Sequence, residues 1–407
     1  MNRREFGSLL LASSAVGAPR AAAAGAVDFE PAPKLLAKAR SPKFVTRRAH
    51  GLVAAYTQDG NLMMQSSPDL GDTWSPPMRV NNVPGEVSDH GENAPQLLYD
   101  EATDGLYAVW NARDPKEPSG SLIRCSGSSA MRPAWTPAVT VNDDGGKASH
   151  GFQGAAVGPD GAIYAGWLDT RGRTQSETYT GTGSGVYLSV SRDAGKTFSK
   201  NIEISRNVCP CCRVAFGFVG KRVVAAWRGI EAGDMRDIWV ASSSDGGVSW
   251  SKPRAAMRDG WKIRGCPHVG PSMASLGGKL YMTWFSEAGG KPSVFVAESA
   301  DGGETFVNKR SASLGTADPT HPQFAASEDR LGVVFQARAG TGWGKVGIYY
   351  REVLATGAMT PVQRIGEGQV TSNYPSVWMG MSGRVFAGWS ETLDEGPRAY
   401  LVRGRRG

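Results

Sequence analysis

An all-β fold built from repeated four-stranded units is what this sequence predicts, on three observations. A strand-like run ending in an aromatic recurs seven times, a Ser-x-Asp-x-Gly turn follows an alternating apolar run four times, and no periodic helical segment stands out after the first two dozen residues. The seven runs are residues 51–56, 105–110, 162–167, 222–227, 279–284, 330–335 and 384–389, ending in Tyr56, Trp110, Trp167, Trp227, Trp284, Phe335 and Trp389. Their aromatics are spaced by 54, 57, 60, 57, 51 and 54 residues, which suits one four-stranded blade per unit. The expected architecture is a β-propeller of seven blades, with six blades plus an extra hairpin as the alternative.

The four turns are centred on Asp69, Asp193, Asp245 and Asp301, each preceded by a serine two places back and followed by Gly71, Gly195, Gly247 or Gly303. Each closes with Thr or Ser and then an aromatic: Trp74, Phe198, Trp250 and Phe306. The Asp accepts hydrogen bonds from nearby backbone N–H groups, the Gly supplies a left-handed conformation, and the aromatic packs below the turn. This pattern resembles the Asp-boxes of the sialidase, or BNR-repeat, superfamily, and the resemblance implies a propeller while leaving the activity open. Units two, six and seven lack a clean copy. The seventh unit ends at 401–403 without an outer strand, so a segment within residues 27–40 is expected to complete it and remove the open sheet edge.

Composition agrees with one large β body. The 407 residues include 53 glycines and show no Pro/Ser-rich linker, so residues 25–407 read as one domain. No apolar stretch approaches the length of a membrane span. The net charge of +7 is spread along the chain without a basic stripe interleaved with aromatics, which argues against a nucleic-acid partner. Residues 1–24 resemble a twin-arginine export signal: Arg3-Arg4 with Phe6 two places on, a mild apolar run, then the small residues 21–25. The resemblance implies folded export to a bacterial periplasm or beyond.

The scarce metal-ligating residues are the main functional clue. The chain has five Cys and five His, and eight of the ten fall in loops that enter the innermost strand of a unit: His90, His150, Cys209, Cys211, Cys212, Cys266, His268 and His321. In a propeller those loops ring one mouth of the central channel, where ligands bind. Thiolate and imidazole suit soft or borderline metals, so the expectation is a metal site led by Cys209, Cys211, Cys212, Cys266 and His268, with His90, His150 and His321 as further ligands or support. Copper is the favoured ion and zinc the alternative, with a periplasmic protein as a further partner. Two other readings of the same cysteines stay open: disulfides such as Cys209–Cys212 or Cys209–Cys266, and a redox-active thiol site. Cys125 lies on an expected strand and reads as core; His50 reads as structural.

The superfamily resemblance carries a different activity, exo-sialidase or other glycoside hydrolysis, through a Tyr nucleophile, its Glu partner, an Asp acid/base and three clamping Arg. Tyr374, Glu92 and Asp89 would take the first three roles, with Arg213, Arg264 and Arg48 or Arg351 as the clamp. The family's Phe/Tyr-Arg-Ile-Pro stretch is replaced here by Phe44-Val45-Thr46-Arg47-Arg48-Ala49, which puts that clamp in doubt. A third reading is a non-catalytic propeller that binds a protein on its flat face.

Overall fold

The computed structural model describes residues 26–48, 51–114, 117, 119–129, 134–172, 183–339, 345–366, 372–380 and 382–407; the expected leader and His50 lie outside them. Seven antiparallel sheets follow one another along the chain as the blades of a propeller. Blade 1 is Arg40–Arg47, Gly51–Gln58, Asn61–Ser67 and Met78–Arg79. The innermost strands of blades 2 to 7 are Gln96–Asp100, His150–Val157, Ala215–Val219, Ser272–Leu276, Ala317–Ala326 and Ser372–Met379. The count is seven rather than six. Among the described residues no helix is long and apolar enough to cross a membrane.

Ring closure uses both ends of the described chain. The last strand, Gly396–Arg406, is the third of blade 7, and Val27–Phe29 pairs with it as the outer strand, Val27 opposite Arg406. Lys34–Ala37 pairs with the same strand further along, Lys34 opposite Leu401. Without this segment the last strand would present a row of unpaired backbone groups.

The repeating aromatics are the core. Trp110, Trp167, Trp227, Trp284, Phe335 and Trp389 are fully buried on second strands, and Tyr56 nearly so. The period of about one blade is therefore a packing requirement: each interface between stacked sheets needs one large apolar side chain at the same height.

The four Asp turns share one hydrogen-bond pattern. In the first, Ser67 Oγ donates to Asp69 Oδ1 at 2.7 Å and accepts from the Gly71 N–H, while Thr73 N–H and Oγ1 donate to the two Asp69 oxygens. Asp193, Asp245 and Asp301 repeat it. The glycine is required twice over. Its φ is +104°, +79°, +88° and +88° in the four copies, and a Cβ there would press on the preceding blade: Leu401 for Gly71, Cys125 for Gly195, Val190 for Gly247, Val224 for Gly303. In blades 1, 3, 4 and 5 the turns thus seat closely against the blade before.

Candidate functional site

Register fixes where the mouth loops lie. In every blade one residue of the innermost strand pairs with the residue just before the marker aromatic: Lys43, Gln96, Gly154, Ala215, Ser272, Gln323 and Ser376. The residue immediately ahead is proline in five of the seven, Pro42, Pro95, Pro271, Pro322 and Pro375. Upstream of these lie the loops that carry the scarce Cys and His. First and third strands run the same way in an antiparallel blade, so these loops open on the face opposite the Asp turns.

Blade 4 contributes the densest group. Cys209, Cys211 and Cys212 are buried, with Sγ–Sγ separations of 3.6 Å for 209–211, 3.6 Å for 209–212 and 3.9 Å for 211–212. All five cysteines are free thiols. Cys266, from the loop entering blade 5, joins Cys209 and Cys211 in a second triad whose sulfurs lie within 4.8 Å of one another. Both triads bring three sulfurs close enough to share a metal ion. Phe152 and Ile230 pack over the buried sulfurs.

Two buried arginines supply positive charge. Arg236 Nη1 donates to Cys209 Sγ at 3.2 Å, and Arg236 is itself held above its ordinary range: burial lowers it, but the Cys209 charge and hydrogen bond outweigh that. Burial pushes the Cys212 thiol up, yet its contacts with Cys209 and Cys211 and the Arg228 guanidinium carry it well below the usual thiol range. Cys211 moves the other way, driven up by its contacts with Cys209 and Cys212 and by burial. Within the trio proton affinity is thus lowered at Cys212 and raised at Cys211. Cys125 is a core residue on the strand Ser121–Ser128, and burial pushes its thiol up to about 12.

The histidines do not join the sulfurs. His150 is buried with Nδ1 facing the Ser121 carbonyl at 2.6 Å and Nε2 at 3.2 Å from both Asp144 Oδ1 and Asp169 Oδ2. Burial pushes the Asp169 carboxyl up, but His150, the Arg171 N–H and the Trp167 indole hold it below the usual carboxylate range. His90 is exposed, its ring edge-on to Phe152 at 6.0 Å. His268 is exposed two residues after Cys266, at φ +51°. His321 packs edge-on to Tyr374 at 4.7 Å, and neither of its ring nitrogens has a hydrogen-bond partner.

Beside the sulfurs a polar cluster fills the axis. Arg213, next in sequence to Cys212, pairs with Glu92 and donates to the carbonyls of Pro271 at 3.2 Å and Pro322 at 3.3 Å; Glu92 also accepts from the Gly270 N–H at 3.0 Å. Lys43, Glu92, Arg213, His321 and Tyr374 line a narrow gap there. Burial, then the Arg213 guanidinium, push the Lys43 ammonium down to about 8. Below it the channel widens into a cavity of about 450 Å³ walled by the inner strands of blades 2 to 7. Of the residues expected to serve a glycosidase, Tyr374, Glu92 and Arg213 meet at this gap. Asp89 accepts from Ser41 Oγ at 2.9 Å, near it. Arg264 and Arg48 are exposed, and Arg351 is buried against the carbonyls of Ala312 and Thr360, so the three-arginine clamp does not form.

Lys43 and the buried Arg228 and Arg236 are site residues that motif reasoning passed over. The proline repeat could have found Lys43, since it aligns the position after Pro42 with Gln96, Ser272, Gln323 and Ser376.

No protein-family model matches the chain, and no curated protein sequence matches it. Solved structures do. A Dyadobacter fermentans protein of unknown function aligns at a TM-score of 0.52 and 16% identity, over 77% of this chain and 94% of its own. A polysaccharide lyase of family PL25, an ulvan lyase bound to -[GlcA(1-4)Rha3S]-, aligns at 0.58 and 12% identity, over 91% and 94%. A Trypanosoma rangeli sialidase bound to the inhibitor DANA aligns at 0.47 and 15% identity, over 90% and 54%. At these identities the first two likenesses establish a shared fold.

Proposed function

We propose that this chain is an exported propeller that binds one soft metal ion, copper(I) in preference to zinc, through Cys209, Cys211 and Cys212, with Cys266 as an additional sulfur. The observation that carries the reading is the sulfur triangle. With edges of 3.6, 3.6 and 3.9 Å, a point equidistant from the three sulfurs lies about 2.1 Å from each in their plane, and a small displacement reaches the ~2.3 Å of a metal–thiolate bond. The three buried sulfurs by themselves suit three-coordinate copper(I), whereas all four sulfurs with Cys266 would make the tetrahedral set of a structural zinc, which is why zinc stands as the alternative. Arg228 and Arg236 fit the same reading, because several thiolates around a monovalent ion leave net negative charge in a dry site. The twin-arginine pattern at Arg3-Arg4 supports export after folding, when a site of this kind is already formed.

Elemental analysis of the mature protein purified without oxygen, with thiol counting before and after a chelator, tests the proposal. About one copper per chain with thiols protected until the chelator is added is the supporting result; thiols locked as disulfides and no metal would refute it.

The meeting of Tyr374, Glu92 and Arg213 at the axial gap favours a second reading, action on an acidic polysaccharide. Glu92 is already committed to Arg213 and Gly270, which leaves less of it for a substrate. Depolymerisation of uronate-containing glycans, abolished by Tyr374→Phe, would move this reading ahead of the first.

A further inference from the structure

The four sulfurs differ in access. Cys209, Cys211 and Cys212 have exposures of 0, 4 and 0%, whereas Cys266 is exposed. Cys266 belongs to the connection from the outer strand of blade 4, Arg254–Met257, to the inner strand of blade 5. Two buried arginines tie that connection on either side of it. Arg236 donates through its backbone N–H to the Trp261 carbonyl at 2.8 Å and through Nε to the Ile263 carbonyl at 3.1 Å. Arg228 donates to the Val269 carbonyl through Nε and Nη2, each at 3.2 Å. Cys266 sits between these ties on a short span that contains Gly265 and Pro267, with Lys262 and Arg264 exposed beside it. Arg236 thus touches both parts of the cluster, since the same guanidinium reaches Cys209.

We infer that Cys266 is the exchange ligand of the cluster, the sulfur through which the metal passes between the buried trio and an incoming thiolate presented by an acidic partner. The inference rests on the metal-binding reading above and adds the route and the chemistry of the partner. A copper(I) ion changes hands by ligand substitution. The incoming thiolate sulfur bonds to the ion, the bond to Cys266 breaks, and no electron is transferred, so no oxidant or reductant is needed. The buried sulfurs are not open to such an approach, because Phe152 and Ile230 pack against them and Arg236 bonds to Cys209. Cys266 can reach Cys209 and Cys211 without leaving the surface. The exposed Lys262 gives its rim positive charge, with the outer edge of the Arg264 guanidinium beside it (its Nε lies 3.7 Å from Asp234), and this draws an acidic partner and steers its approach.

The test follows copper(I) leaving the loaded full chain, without oxygen, for the chromophoric chelator bathocuproine disulfonate, with and without reduced glutathione as the thiolate. Wild type is expected to transfer faster with glutathione. The Cys266→Ser variant, which retains the three buried sulfurs and is compared with wild type at equal copper loading, is expected to lose about tenfold in glutathione-dependent rate, since exchange at sulfur depends on access. Cys212→Ser, which removes a buried ligand, is expected to release copper faster than wild type. Transfer from Cys266→Ser at the wild-type rate, or no effect of glutathione on wild type, would each overturn the exchange role. Failure of wild type to take up copper at all is a different result: it overturns the metal-binding reading beneath.

Discussion

Blades 3 and 4 enter the ring through equivalent loops, and each loop brings buried residues of metal-binding type to the mouth, yet the two end in opposite states. In blade 3 His150 is absorbed by the protein: a carbonyl faces one ring nitrogen and two carboxylates face the other. In blade 4 the three thiols have mostly one another, plus the guanidinium of Arg236. A buried imidazole held between a carbonyl and two carboxylates already has fixed protein charge around it; a buried group of like ligands, flanked by charge of the opposite sign, is left with capacity to bind. The same position in the repeat thus serves stability in one blade and chemistry in the next.

Four substitutions sharpen this contrast. Cys209→Ser has the largest expected effect, because Cys209 belongs to both sulfur triads and receives the Arg236 bond: metal content, read by elemental analysis, falls to background while the circular dichroism spectrum is kept. His150→Ala should do the reverse. It leaves Asp144 and Asp169 facing a cavity and costs about 2–4 kcal/mol of stability in denaturant unfolding, with metal content unchanged. A loss of metal in that variant would erase the distinction between the blades.

Lys43→Met probes the axial cluster. Lys43 has an ordinary value of 10.5 and is pushed down to about 8 in the folded protein, so the unfolded chain binds more protons between those values and stability rises with pH across that window. Below pH 8 the charged amine opposes folding. The variant is therefore expected to melt about 2 °C higher than wild type at pH 7, with the gain shrinking toward pH 10. The smallest effect is expected from Asp193→Asn. Burial pushes this carboxyl up, but the bonds from Thr197 and Ser191 prevail and hold it at about 2. Its contribution is fully present above the ordinary carboxylate range and is lost as pH falls through about 2. The variant should melt about 1 °C lower at pH 7 and converge on wild type in strong acid.

Much of the scaffold was legible because packing repeats. Trp167, Trp227 and Trp284 recur at blade spacing since each must fill the same gap between sheets, and a short seventh blade implied a strand from residues 27–40, which Val27–Phe29 provides. The sulfur cluster was legible in part, since loops at one register position converge whatever they contain. The fate of the histidines was not. His150 meets Asp144 from the preceding connection and Asp169 from its own second strand, and no spacing rule announces that triangle. Arg236 was equally hidden, because its link to Cys209 crosses between loops without a repeat to mark it.

The closing pair, Val27 against Arg406, has a consequence for the order of events in the cell. The ring cannot shut until the last strand of blade 7 has been made, because Val27–Phe29 pairs with it. Blades 4 and 5, with all four mouth cysteines between them, are complete well before that moment. Phe152, Ile230 and Arg236, which surround the buried sulfurs, belong to blades 3 and 4, so the cluster is assembled without waiting for the ring to shut. Loading and exchange would then share one exposed sulfur, Cys266, before and after closure.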